Sequence, residues 1–174
     1  MPFIVWPLRN VAGRQVLSDE VLLDVWRQIV EEDKVDLVFY AGGVCTPREF
    51  LEYILQPSLR VSLVIDAVSG LVCVLGWLTP AGDGSAFVHY CNLGRFRRDA
   101  GRTLLHHWCE PPEPGGRPVF EVLLGITPEP HAGAIRAARI MGFVPVGTIP
   151  RYCRWAAGTL RCGGVLSVFE CPPG

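Results

Sequence analysis

Ser85-Ala-Phe-Val-His-Tyr-Cys-Asn-Leu-Gly-Arg-Phe-Arg-Arg-Asp-Ala-Gly-Arg-Thr103 runs from an apolar, strand-like segment through a glycine into an arginine-rich turn. A helix is expected from about Asp99 to Glu110, with Leu104, Leu105 and Trp108 on one face. A strand that feeds a glycine turn at a helix start leaves backbone N–H groups free at the positive end of the helix dipole. That is an anion site, best suited to phosphate. Arg95, Arg97, Arg98 and Arg102 add planar forks for phosphate oxygens. A solvated arginine-rich loop is the plainer alternative.

On the N-terminal side, Phe3 to Pro7 reads as a short strand. Ser18 caps a helix whose apolar stripe is Leu22, Val25, Trp26, Ile29 and Val30. Thr46-Pro47-Arg48-Glu49 is a capping box with proline at the first helical position, and Pro57 ends that helix. Strands are expected at 61–67 and 71–78, joined by a Ser69-Gly70 turn. Beyond the quoted stretch, the proline-rich segment 111–118 is a loop. A buried strand is expected over 119–126, a helix over 131–141 stopped by Gly142, and strands over 143–152 and 164–171.

The chain has 174 residues, 49% of them apolar and 19% charged, which suits one domain and excludes disorder. The apolar stretch Val61 to Leu78 is broken by Asp66 and Ser69-Gly70, so it reads as a hairpin and no membrane segment remains. The N-terminus lacks the pattern of a signal peptide. Seven cysteines without a C-x-x-C pair read as reduced, mostly buried thiols in a cytoplasmic protein.

The formal net charge is −1, yet residues 1–90 hold 6 basic and 11 acidic side chains and residues 91–174 hold 10 and 6. The anion-seeking surface therefore belongs to the second half. Of 16 basic residues only Lys34 is lysine. His106-His107-x-Cys109 lacks a second ligand pair and is read as helix surface, so no metal is expected. Cys91 is read as core packing rather than a nucleophile. Tyr152, Arg154 and Trp155 are read as a strand end, so nucleic acid is not an expected partner.

Arg98-x-x-Gly101-x-Thr103 resembles the Q/R-x-x-G-x-G/A turn of the GNAT N-acetyltransferases. His131-Ala-Gly-Ala-Ile-Arg-Ala-Ala-Arg-Ile-Met-Gly-Phe143 resembles that family's N-x-x-A-I-x-x-Y-x-x-x-G-F helix. The order of elements fits the family along nearly the whole chain. The resemblance implies a single α/β domain with a mixed, mostly antiparallel sheet of about seven strands. About four helices would flank it, and the sheet would be splayed between strands 4 and 5.

It further implies acetyl-CoA as co-substrate and an amine acceptor, with direct transfer in a ternary complex. Arg97, Arg98, Asp99, Ala100, Gly101, Arg102 and Thr103 would hold the pyrophosphate, with Leu93 and His131 along the pantetheine arm. His89, nine residues before Arg98, is the candidate base, and Tyr152, with Tyr90, a fallback acid.

Three positions depart from the pattern. Thr103 stands where Gly or Ala is usual, and His131 where Asn is usual. Ala138 replaces the tyrosine that often protonates the departing thiolate. Ala138 and Thr103 favour the rival reading, a GNAT-fold CoA-binding or interaction module with little or no catalysis.

Overall fold

The computed structural model describes residues 3–10, 12–111, 116, 118–155 and 159–172. Seven strands form one sheet: β1 (Phe3–Pro7), β2 (Arg60–Asp66), β3 (Val72–Gly82), β4 (Ser85–Asn92), β5 (Val122–Pro128), β6 (Val144–Trp155) and β7 (Leu160–Glu170). Their order across the sheet is β1-β2-β3-β4-β5-β7-β6. Every pair is antiparallel except β4 with β5. A parallel pair needs a crossover, and the helix leaving the quoted stretch supplies it.

The helices are α1 (Asp19–Glu31), α2 (Val35–Val38), α3 (Pro47–Ile54), α4 (Arg98–Cys109) and α5 (Ala132–Met141). Both predicted start signals act as expected. The Ser18 hydroxyl accepts from the Val21 amide, and Thr46 with Glu49 closes a capping box. Gly142, at φ +113°, ends α5 in the left-handed conformation. The single turn of α2 was not foreseen, because four residues carry no readable period.

Helices cover both faces, so the core is divided in two. α1 and α3 pack with Leu63, Leu75, Trp77 and Cys91 on one face. α4 and α5 pack with Val64, Val74, Leu78 and Leu123 on the other. The central strands β2 and β3 are consequently buried on both sides, which explains the apolar stretch through Leu78. Gly76 of β3 lets α4 sit close to the sheet. A side chain there would meet Leu104 at 2.5 Å and Trp108 at 2.8 Å.

Among the described residues, no helix is long and apolar enough to cross a membrane.

Two expectations are corrected. β5 starts three residues later than predicted, at Val122, where its ladder with β4 and β7 begins; most of the proline-rich loop before it lies outside the described residues. The cysteines are not all reduced. Cys109 and Cys171 form a disulfide across 62 residues, while Cys45, Cys73, Cys91, Cys153 and Cys162 are free. Sequence spacing could not show that pairing, because the fold alone brings the ends of α4 and β7 to a Cα–Cα distance of 5.3 Å.

Candidate active site

β4 and β5 pair only through Ser85–Phe87 and Val122–Leu124, and then diverge. Two adjoining cavities occupy the resulting splay. The inner one, about 110 Å³, is lined by Trp77, His89 and Tyr90 of the sheet, by Tyr40, and by Ala138 of α5. The outer one, about 430 Å³, is lined by Lys34, Tyr90, Asn92, Phe96 and Arg136 among others. Leu37, Val38, Tyr90, His131, Ala134 and Ala137 line both.

The free backbone groups of β4 follow from its register. Leu93 donates its amide to Cys73 O at 2.9 Å, and its side chain lies in the core. With Val74 opposite Asn92, strict alternation turns the N–H and C=O of Tyr90 and Asn92 toward the splay. The backbone facing the splay thus belongs to Leu93's neighbours. Lys34 Nζ already donates to Asn92 O at 2.8 Å and pairs with Glu32. The Glu32 carboxylate in turn accepts from the Gly94 amide at 2.7 Å. This Glu32–Lys34 hook ties the end of α1 to the end of β4; no pattern in the sequence announced it.

At the arginine-rich turn, α4 has no side-chain cap on its N-terminus. Arg95, Arg98 and Arg102 are exposed there, with Arg98 3.2 Å from Asp99. Arg97 is engaged elsewhere, in an ion pair with Asp66 of the β2–β3 turn. Backbone donation from Val68 and Ser69, together with Arg97, holds the Asp66 carboxyl below its ordinary range. Ala100 and Gly101 face inward and are buried. The Thr103 hydroxyl turns back onto Asp99 O at 2.8 Å, the local bond that competes for such side chains in helices.

His89 is brought into the site. Its ring stacks on Trp77 with centroids 5.1 Å apart and an interplanar angle of 4°. Its Nε2 lies 3.1 Å from Thr79 Oγ1. Burial lowers its pKa from the ordinary 6.5 to about 4. His131 sits at the N-cap of α5 without capping it, 5.7 Å from the Trp155 ring, and burial lowers its pKa too.

Tyr152 is not brought in. It is 52% exposed on β6 and lines neither cavity. Tyr40 is the wall residue that sequence reasoning missed, because it follows the unforeseen α2.

The His89 shift has a consequence for stability. Between pH 6.5 and about 4 the unfolded chain protonates this imidazole and the folded chain does not. Folding stability is therefore intact above that window and falls as pH drops through it, by roughly 3 kcal/mol in all at about 1.4 kcal/mol per unit. Urea unfolding of wild type and His89→Gln at about pH 5 and pH 7 should show that part of the slope lost in the variant.

The same arrangement of elements is found in solved acetyltransferases. The spermidine N-acetyltransferase of Vibrio cholerae, in complex with CoA and spermine, superposes with a TM-score of 0.66 at 12% identity, over 97% of this chain and 95% of that one. An aminoglycoside acetyltransferase with coenzyme A and kanamycin gives 0.65 at 12%, over 96% and 95%. The ribosomal-protein-S5-alanine acetyltransferase of Vibrio fischeri gives 0.64 at 10%, over 97% and 93%. No family model matches the chain, and no curated protein sequence does. The fold is that of the GNAT acetyltransferases, at 10–12% sequence identity to these three structures.

Proposed function

We propose that this chain is a single acyl-CoA-dependent N-acyltransferase domain that moves an acetyl group from acetyl-CoA to a primary amine. The observation that carries the reading is the splay itself. Two adjoining cavities lie along β4: the outer one is lined by Asn92, Phe96 and Arg136, with Phe96 two residues before the uncapped, arginine-bearing start of α4, and the inner one by the half-buried His89 of β4. An elongated ligand with phosphates at one end and a reactive group at the other fits that gradient from charged to apolar.

In this reading, the α4 N-terminus with Arg95, Arg98 and Arg102 holds the pyrophosphate. Tyr90 and Asn92 offer strand-edge hydrogen bonds to the pantetheine arm, and His131 flanks it. The amine nitrogen attacks the thioester carbonyl, the C–S bond breaks, and the amine proton leaves. His89 is the candidate acceptor of that proton. One of its ring nitrogens is held by Thr79, and its depressed pKa keeps it neutral and able to accept at physiological pH.

The rival reading, a CoA-binding module without turnover, is favoured by Ala138 on the cavity wall and by the weak basicity of His89. The two are separated in two steps. At a concentration near 100 times its Kd, acetyl-CoA should stabilise the fold by about 2.7 kcal/mol, a rise in Tm of roughly 5–10 °C. No shift at millimolar acetyl-CoA defeats both readings. With binding established, release of the CoA thiol on adding amines distinguishes the enzyme from the module. His89→Ala should then lower kcat/KM about 10²-fold, and an unchanged value removes His89 from the role.

A further inference from the structure

The inner cavity has a wall without formal charge. Among the described residues that line it there is no Asp, Glu, Lys or Arg. Its ionisable members are Tyr40, His89, Tyr90 and His131, and burial acts on all four in the neutralising direction. Tyr40 is pushed up to about 12 and Tyr90 is raised as well, while both imidazoles are lowered. Glu129 adjoins the wall residue Pro128 in the chain but is exposed and does not line the cavity; its carboxylate accepts from the Gly163 amide at 3.1 Å. What the wall offers instead is aromatic and aliphatic surface: Trp77 stacked on His89, Tyr40 beside Trp155, and Leu37 and Val38 from α2.

From this we infer that the acceptor is a small primary amine whose body is aromatic or otherwise apolar and carries no second charge. The inference rests on the acyltransferase reading above and specifies its acceptor. A polyamine or aminoglycoside brings several ammonium groups, and each one drawn into this cavity would lose its water without gaining a counter-charge. An aromatic amine has one nitrogen to deprotonate, and its ring is buried against Trp77, Tyr40 and Leu37. Discrimination of this kind comes from the unpaired charge of the rejected substrate as much as from contacts with the accepted one.

The experiment uses acetyl-CoA as donor and reads CoA thiol release with phenethylamine, tryptamine, spermidine, kanamycin and a short peptide with a free N-terminus. The expected result is a kcat/KM for the two arylalkylamines at least about 10-fold above the rest. Leu37 is 39% exposed and lines both cavities, so Leu37→Glu places a carboxylate at the mouth with little disturbance of the core. It should raise the spermidine-to-phenethylamine ratio of kcat/KM by about 10-fold, because the second ammonium gains a partner.

Preference for spermidine, kanamycin or the peptide overturns the inference and leaves the acyltransferase intact. A protein that acetylates none of the apolar amines although acetyl-CoA raises its Tm also overturns the inference. Absence of any acetyl-CoA effect on Tm overturns the underlying reading instead.

Discussion

Gly101→Val is expected to weaken acetyl-CoA binding by at least about 10-fold and to lower the unfolding free energy by about 1–3 kcal/mol, the usual cost of overpacking. Gly101 lies in the first turns of α4, on the buried side. A Cβ there would collide with Met141 Sδ and stand 3.2 Å from Met141 Cγ and 3.3 Å from the Tyr90 hydroxyl. Met141 is itself 5% exposed, so it has little room to give. In an open helix, replacing glycine would stabilise, since glycine costs about 1 kcal/mol relative to alanine. Here the contact between α4 and α5 decides the sign.

Relief must come from one helix moving away from the other, and the N-terminus of α4 is the proposed phosphate seat. The same change should therefore appear in both readouts. A cycle with Met141→Ala tests the cause: the double variant should recover most of the stability and affinity, giving a coupling of about 1–3 kcal/mol. Additive losses, or a Gly101→Val protein that binds acetyl-CoA as wild type does, would show that α4 does not transmit the clash to the site. Isothermal titration and urea unfolding on all four proteins measure it.

How much of this was legible follows from the range over which each cause acts. Ser18, the Thr46–Glu49 box and Gly142 act within four residues, so the helices they bound stood in the sequence. The strand, glycine turn and helix of residues 85–109 were equally local, and they place the splay through the parallel pair they create. The place of His89 on the wall of the inner cavity was readable because its strand and face follow from period two.

What was hidden depends on partners brought together from afar. Arg97 looked like one more phosphate fork until the β2–β3 turn placed Asp66 beside it. Leu93 looked like the strand end facing the arm until the register with β3 engaged its amide. Lys34 and Glu32 gave no sign of the hook at β4, since their targets are backbone atoms some sixty residues away. Tyr152 falls inside the irregular register of β6 between Ile149 and Cys153, where it stands exposed. Of the four arginines clustered at the turn, three remain exposed and one, Arg97, is tied down.

The second large effect concerns the bridge that spacing could not show. Replacing Cys109 and Cys171 together with alanine, or reducing the wild type, is expected to cost about 4 kcal/mol of stability, the chain-entropy value for a closed loop of this length. At 2–4 °C per kcal/mol for a chain of this size, Tm should fall by about 8–16 °C. The loop closed is 62 residues long and contains β5, α5, β6 and β7, so the bridge restrains much of the second half of the unfolded chain.

Affinity for acetyl-CoA should hardly change. Cys109 is at the far end of α4 from Arg98, about 17 Å away at 1.5 Å per residue, and the sheet that frames the splay retains its other contacts. Alkylation before and after reduction checks the premise directly, because only the five free thiols can react while the bridge is closed. Full labelling of all seven cysteines without reductant, with no change of Tm on reduction, would mean that the two sulfurs are held side by side but not joined. A fall in Tm with unchanged acetyl-CoA affinity would establish the bridge as a clamp on the fold that acts apart from the site.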